Sequence, residues 1–316
     1  MLRLLVLVCW LAAVSQGAED VRRPFPGVTH IVRSDTAPRA FRMHVVRIEL
    51  GTSGLRFKVS PPGGRREAVR QTTLDFLIAE KAQIAVNLHF FLPFPSSDPD
   101  ANLIGLAVSE GTLYSGFETP EQSYAIVADA PAIHLDRDNR ASVITRESAS
   151  AAALWNAFAG SAQIITNGRP SIPVYRDERH PDGQLIPGGP APYSNARSWY
   201  AAANARTIAG LSRDNGTLFL VTLDRAGASL GLSLYEAAEI LVRDYGVHNA
   251  INLDGGGSTT LAMQDPGTGE RLIVNMPSGG TARSVASSLA VFVPLDTTPP
   301  ARNAETPRPI SVRIAR

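Results

Sequence analysis

The chain has 316 residues and is 44% apolar, ample for one large packed domain or two small ones, which places it among globular proteins. Its 30 basic and 29 acidic residues nearly cancel, and removing Arg3 with a leader brings the mature chain to 29 of each, a balance that argues against electrostatic binding of nucleic acid. The sole cysteine, Cys9, falls within that leader, so the mature chain is expected to form no disulfide.

Residues 1–17 read as a secretory signal peptide. Arg3 supplies a basic start, residues 4–14 an apolar run, and Ser15 and Gly17 the small residues of a cleavage site before Ala18. The run is short for a bilayer, and no later segment approaches the roughly 20 apolar residues of a transmembrane helix, so no membrane span is expected. Residues 10–14 carry the apolar run past Cys9, which disfavours lipidation there. Export without disulfides points to a periplasmic or secreted bacterial protein. Residues 18–29 read as a lead-in, 30–295 as a single domain, and 296–316 as a flexible tail containing Pro and Arg.

Within the domain, 43–50 (MHVVRIEL) and 55–60 (LRFKVS) read as strands joined by a turn over 51–54, an early β-hairpin. Thr72 with Asp75 three residues on resembles an N-terminal cap, and Leu74, Leu77 and Ile78 form the apolar stripe of a helix running to about Lys81. Strand-like runs follow at 84–91, 103–108, 124–128, 162–166, 207–211, 217–224 and 287–293. Ser233 and Glu236 form a capping box ahead of Ala237, Ala238, Leu241, Val242 and Tyr245, and Gly246 ends that helix. Many strands with two or three helices predict an α+β (mixed α/β) fold of strand-rich mixed sheets carrying a few packed helices. The irregular stretches 92–100 and 167–204 suit functional loops.

The most informative stretch is 252–260 (NLDGGGSTT). A buried strand over 247–253 delivers Asp254 onto Gly255, Gly256 and Gly257, whose backbones admit φ > 0 and let main-chain amides approach an anion, most obviously a phosphate. The hydroxyls of Ser258 and Thr259 follow directly. A tight turn capped by Asp254 is the plainer reading of a lone Asp-Gly pair, but three glycines and three hydroxyl residues exceed what a turn requires. No Lys follows at P-loop spacing, so this is not a nucleotide-binding loop.

With these pieces in this order, the chain resembles the phosphodiester glycosidase family over residues 30–294. The resemblance rests on 85–91 (AVNLHFF), 205–210 (ARTIAG), 231–260 with its capped helix, buried strand and DGGGST, and 283–286 (RSVA). It implies an exported hydrolase acting on a sugar phosphodiester or phosphoglycan of envelope or extracellular polysaccharide. Cleavage of the glycosidic C–O bond would release the sugar and leave a phosphomonoester on the other partner. Asp254 is the expected catalytic carboxylate, as nucleophile or as base toward water, with orientation of Arg206 or of a sugar hydroxyl as its alternative role. A phosphate leaving group needs little general-acid help, so a second carboxylate is dispensable, Glu49 and Asp224 being the candidates. Arg206 and Arg283 offer planar donor forks to phosphate oxygens, against the alternative of salt bridges, and Asn87 and Thr207 fit hydrogen bonds to sugar or phosphate.

Leu88 and His89 stand where family members often carry small or glycine residues, as in NGGFF. Larger side chains there would narrow a pocket, or through His89 add a titrating group to it. A histidine packed beside Phe90 and Phe91 is the ordinary alternative. Trp199 and Tyr200 offer flat faces to a sugar ring or anchor a loop. Asp177, Glu178, His180 and Asp182 are metal-capable but lack a recognised ligand spacing; no metal site or cofactor is expected, and a divalent cation is left open. Two other readings stay open on the sequence: a non-catalytic glycan-binding or polysaccharide-assembly protein with the same fold, and a phosphodiesterase cutting P–O.

Overall fold

The computed structural model describes residues 17–117, 129–149, 153–173 and 199–294. Residues 1–16 of the signal peptide, the 124–128 strand, the Asp177 to Asp182 cluster and the C-terminal tail lie outside the described residues. The fold is mixed α/β and strand-rich, and every strand pairing described is antiparallel.

The largest sheet has eight strands, in the spatial order Ala18–Phe25, Val28–Asp35, Phe41–Glu49, Thr217–Leu223, Arg206–Leu211, Asn249–Leu253, Ala162–Thr166 and Arg169–Pro170. Its central strands are buried on both faces, which is why Val45 and Val46, or Leu220 and Val221, are both apolar where a half-exposed strand would alternate. Val45, Ile208, Val221 and Ala250 pack with Leu234, Ala237, Ala238 and Leu241 of the helix Leu234–Tyr245. That helix carries the expected capping box from Ser233 to Glu236 and stops at Gly246, whose φ of 69° is left-handed.

Val46, Ile48, Leu220 and Ile251 face the opposite way. They share a core with Phe57, Val86, Leu261 and Leu289 of a five-stranded sheet ordered Arg271–Ile273, Leu261–Gln264, Ile84–Asn87, Ser288–Phe292 and Arg56–Val59. A second five-stranded sheet, Thr112–Ser115, Ala107–Ser109, Asn156–Ala159, Ala132–Leu135 and Ala141–Ile144, adds Ile133, Leu135 and Phe158 to that core. Helix, large sheet and smaller sheets therefore stack as layers around two apolar seams. The helix Thr73–Glu80 has the expected Thr72 cap, with the side chain accepting from the Asp75 amide.

Ala18–Phe25 and Val28–Asp35, which span the 18–29 lead-in, pair with each other and extend the largest sheet beyond Phe41–Glu49. Three expectations change. The 43–50 and 55–60 strands form no hairpin: Phe41–Glu49 pairs with Thr217–Leu223, while Arg56–Val59 pairs with Ser288–Phe292 in another sheet. The 84–91 run stops pairing at Asn87, and Phe91–Leu92 belongs to a small separate sheet with Asp100–Leu103 and Ala68–Val69. The 103–108 run breaks between Asp100–Leu103 and Ala107–Ser109 at Gly105, whose φ of 91° excludes extended pairing there.

Candidate active site

Strand register brings the site together. Thr207 pairs with Leu253, so Asp254 leaves its strand at the edge where the Arg206–Leu211 strand begins, while Asn87 sits at the end of the Ile84–Asn87 strand, opposite Ser288. The Asp254 amide donates to the Leu88 carbonyl at 2.8 Å, and Asn87 Nδ2 donates to the Asp254 carbonyl at 2.7 Å. Asn87 Oδ1 in turn accepts from the Thr207 hydroxyl at 2.8 Å and the Thr260 amide at 3.0 Å. Both polar ends of Asn87 are thus spent on protein, and its side chain is fully buried. Asn87 and Thr207 hold the backbone that carries Asp254, and neither lines the cavity described below. Thr259 is likewise buried, within 3.4 Å of the Thr207 hydroxyl.

Asp254 itself is 9% exposed and lines a cavity of about 440 Å³. Phe90, Phe91, Leu92, Phe94, Ile104 and Trp199 form the apolar walls, while Asn204, Arg225, Ser278 and Arg283 supply polar groups. Burial pushes the Asp254 carboxyl up to about 7, against the opposing effects of a Ser258 hydrogen bond, the Arg283 charge and the Gly255 amide. Arg283 Nη1 donates to Ser258 Oγ at 3.2 Å, so one hydroxyl connects the carboxylate to the guanidinium. Asp254 is the single carboxylate among the described lining residues.

The Gly255 amide hydrogen-bonds the Asp254 carboxylate, and the Gly256 amide donates to the Ala205 carbonyl at 2.9 Å. The Gly255 and Gly256 carbonyls accept from the Ser258 and Thr259 amides, closing a short 3₁₀ turn over Gly256–Ser258. What the turn requires is absence of side chains. A Cβ on Gly255 would lie 2.7 Å from the Ala205 carbonyl, one on Gly257 would lie 2.4 Å from Arg283 Nη2, and Gly256 has a φ of 59°. Gly255 and Gly256 also pass beneath the Trp199 indole. The glycines let Arg283 and Trp199 close in beside Asp254.

Arg206 is placed away from the cavity. Its side chain is fully buried and outside the cavity lining; Nε donates to the Leu232 carbonyl at 3.1 Å, and Nη2 donates to the carbonyls of Trp199, at 2.6 Å, and Ala202. Its guanidinium lies 4.9 Å from the Trp199 ring, and burial lowers its pKa to about 9. Arg206 therefore fastens the 199–202 segment over the sheet edge. Trp199 lines the cavity while Tyr200 is buried in the core, so the pair divides the two roles considered for it.

His89 is also internal. Nδ1 meets Ser287 Oγ at 2.6 Å and Nε2 meets the Leu106 carbonyl at 2.9 Å, and burial lowers its pKa to about 4, which keeps the ring neutral. Leu88 is fully buried in the main core. Neither narrows the cavity, whose wall begins at Phe90. Of the two candidate second acids, Glu49 is exposed on its strand, and Asp224 is fully buried with Oδ1 accepting from Asn275 Nδ2 at 3.3 Å and the Met276 amide at 3.1 Å. Neither lines the cavity.

Arg225, Asn204 and Ser278 were not singled out by sequence. Arg206 pairs with Leu223, so residues just before 206 and just after 223 share one edge of the sheet with Asp254; reading strand ends together would have found Asn204 and Arg225. Among the described residues, neither Arg225 nor Arg283 makes an ion pair, whereas the two buried arginines are spent on protein, Arg33 on Asp35 and Asp244 and Arg206 on main-chain carbonyls. Two cations beside an apolar cavity and one raised carboxyl can take an anionic sugar derivative.

The phosphodiester glycosidase family model matches residues 80–292. Among solved structures, the chain is similar to the zebrafish N-acetylglucosamine-1-phosphodiester alpha-N-acetylglucosaminidase catalytic domain, auto-inhibited by its pro-peptide, at 16% identity and a TM-score of 0.58, covering 89% of this chain and 85% of that one. A hypothetical protein from Synechocystis aligns at 15% identity with a TM-score of 0.59, over 89% of this chain and 64% of its own. A putative exported protein from Burkholderia pseudomallei aligns at 17% identity with a TM-score of 0.52, over 82% and 75%. At these identities the structures share the fold. No curated protein sequence matches the chain.

Proposed function

This chain belongs to the phosphodiester glycosidase family, and from that premise we propose that it is an exported hydrolase cleaving the glycosidic C–O bond of a sugar 1-phosphodiester. The observation that carries the reading is the placement of Asp254 and Arg283 on one hydroxyl, Ser258, at the wall of a cavity with aromatic and apolar sides.

In this reading the sugar ring lies against Trp199 and Phe90, with the phosphoryl oxygens toward Arg283 and Arg225. Those cations draw charge onto the departing phosphate, which is a weak base and leaves without a dedicated proton donor. Ionised Asp254 acts at the anomeric carbon as nucleophile or as base toward water. Retention or inversion of configuration in the released sugar distinguishes the two. The substitution of Leu88 and His89 for small residues gives no support to a binding-only protein, because both side chains face the core. Among the described residues no helix is long and apolar enough to cross a membrane. Export rests on the sequence of residues 1–17.

The test is hydrolysis of a panel of sugar 1-phosphodiesters in water enriched in oxygen-18. Label in the sugar supports C–O cleavage. Label in the phosphate replaces it with P–O cleavage, and no turnover on a chemically broad panel overturns the hydrolase reading.

A further inference from the structure

The strand Ala18–Phe25 ends the eight-stranded sheet and, among the described residues, pairs only with Val28–Asp35. Every residue from Ala18 to Arg23 is exposed. The ladder with Val28–Asp35 runs unbroken from Ala18 to Arg22 and shifts register before Phe25. The outer side of that stretch carries main-chain N–H and C=O groups that the sheet leaves unpaired, the groups on which a further strand adds.

Such an edge is commonly guarded by like charges, which repel a second copy. The charges here are arranged in the other sense. The strand reads Glu19, Asp20, Val21, Arg22, Arg23, two acids and two bases in mirror order about Val21. When two copies meet antiparallel across a two-fold axis level with Val21, Asp20 faces Arg22 of the second copy and Glu19 faces its Arg23, each pair occurring twice. Residues directly opposite in such a ladder point to one face of the sheet, so the axis must lie level with a residue and not between two. Level with Glu19, Asp20 or Arg22 it would set like charges directly opposite, at Cβ separations of about 4.5–5.5 Å. Only the Val21 register within the regular stretch Glu19 to Arg22 avoids this.

Asp20 and Arg22 share the face of Val32 and His30 and already meet along the strand, Nη2 to Oδ2 at 2.5 Å, with side chains 52% and 72% exposed. Across the axis the four charges form a checkerboard, each with an opposite charge along its own strand and another across the ladder. Glu19 and Arg23 lie at the rim, where the bulge begins. Val21, 50% exposed, meets its own copy at the axis. Exposed ion pairs contribute little affinity each, so the main-chain bonds hold the two strands and the charges select the register.

Independently of the hydrolase reading, we infer that the Ala18–Phe25 edge is a self-association surface. A second copy of this chain docks on it antiparallel and joins the two eight-stranded sheets into one, with Val21 at the two-fold axis and the Asp20–Arg22 pairs setting the register.

Neither Asp20 nor Arg22 lines the cavity beside Asp254. Sedimentation of the mature protein from about 1 µM to 1 mM should show a concentration-dependent equilibrium between monomer and dimer. Asp20→Arg and Arg22→Asp each turn both cross-strand pairs into like-charge contacts, and each should raise the dimer Kd about tenfold or more. An equimolar mixture of the two variants regains complementarity, since one strand is then basic at both positions and the other acidic, and should return the dimer close to the wild-type Kd. That recovery also shows that both variants are folded. A wild-type protein that stays monomeric over the whole range, single variants that associate as the wild type does, or a mixture no tighter than its components would each overturn the proposal.

Discussion

Asn87 donates from Nδ2 to the main-chain oxygen of Asp254 at 2.7 Å, across 167 positions of sequence, and both residues stand at strand ends that register brings to one edge. Removing that side chain leaves the Asp254 carbonyl, the Thr260 amide and the Thr207 hydroxyl without their partner in a buried place. Asn87→Ala should therefore destabilise the fold by about 2–4 kcal/mol, as expected for several lost buried hydrogen bonds. It should also lower kcat, because Asp254 loses its backbone support. Urea denaturation and steady-state kinetics measure both, and unchanged stability would show that the lattice re-forms around the gap.

The Asp254 carboxyl sits near 7 in the folded chain against an ordinary 3.8, chiefly through burial. Since the ionised form is the reactive one, kcat/KM should rise with pH and level off above about 7. Asp254→Asn should reduce turnover by about a thousandfold or more. The same shift bears on stability: the folded state holds a proton that the unfolded chain releases, so stability falls as pH rises from 3.8 through about 7. Above that range the ionised carboxylate costs about 4 kcal/mol relative to an unburied one. Asp254→Asn should accordingly melt higher than the parent at pH 8, and by less at pH 5. A pH-independent difference in Tm would contradict the raised carboxyl.

Arg206→Lys keeps the charge but cannot span the carbonyls of Leu232, Trp199 and Ala202 together. Stability should drop by about 2–4 kcal/mol, in line with hydrogen bonds from a charged donor. Activity should fall to a similar extent on any substrate the protein accepts, phosphorylated or neutral, because the displaced element is the Trp199 wall. A loss confined to phosphodiesters would return Arg206 to phosphate recognition.

His89 is buried neutral, with a pKa lowered by burial to about 4 from an ordinary 6.5. Between those values the unfolded chain takes up a proton that the folded one refuses, so stability declines as pH falls from 6.5 toward 4, by about 3 kcal/mol over the window. His89→Asn should be less stable than the parent at pH 7, having lost the Leu106 contact, yet show a shallower fall in Tm below pH 6.5. Parallel Tm profiles for the two proteins would place the acid sensitivity elsewhere.

Much of the framework was legible because its determinants are local. Ser233, Glu236 and Gly246 specify one helix by capping chemistry that acts within a turn, and Thr72 specifies the start of another. The apolar runs at 207–211 and 217–224 mark central strands because two layers must cover them, and Asp254 followed by glycines marks a functional turn because no buried element needs that composition. Partners across space are a different matter. Nothing local says that 43–50 pairs with Thr217–Leu223 instead of with the next strand, nor that Leu88 and His89 face inward while Phe90 faces the cavity. Arg206 and Arg283 look alike as letters in a motif; only packing decides that one guanidinium is enclosed by carbonyls and the other stands beside Asp254. Sequence alone marked Asp254 and Arg283 as charges for the site, and tertiary structure decided that they reach it with Arg225 while Arg206 does not, because burial and orientation are set by strand register over long separations and not by neighbouring residues.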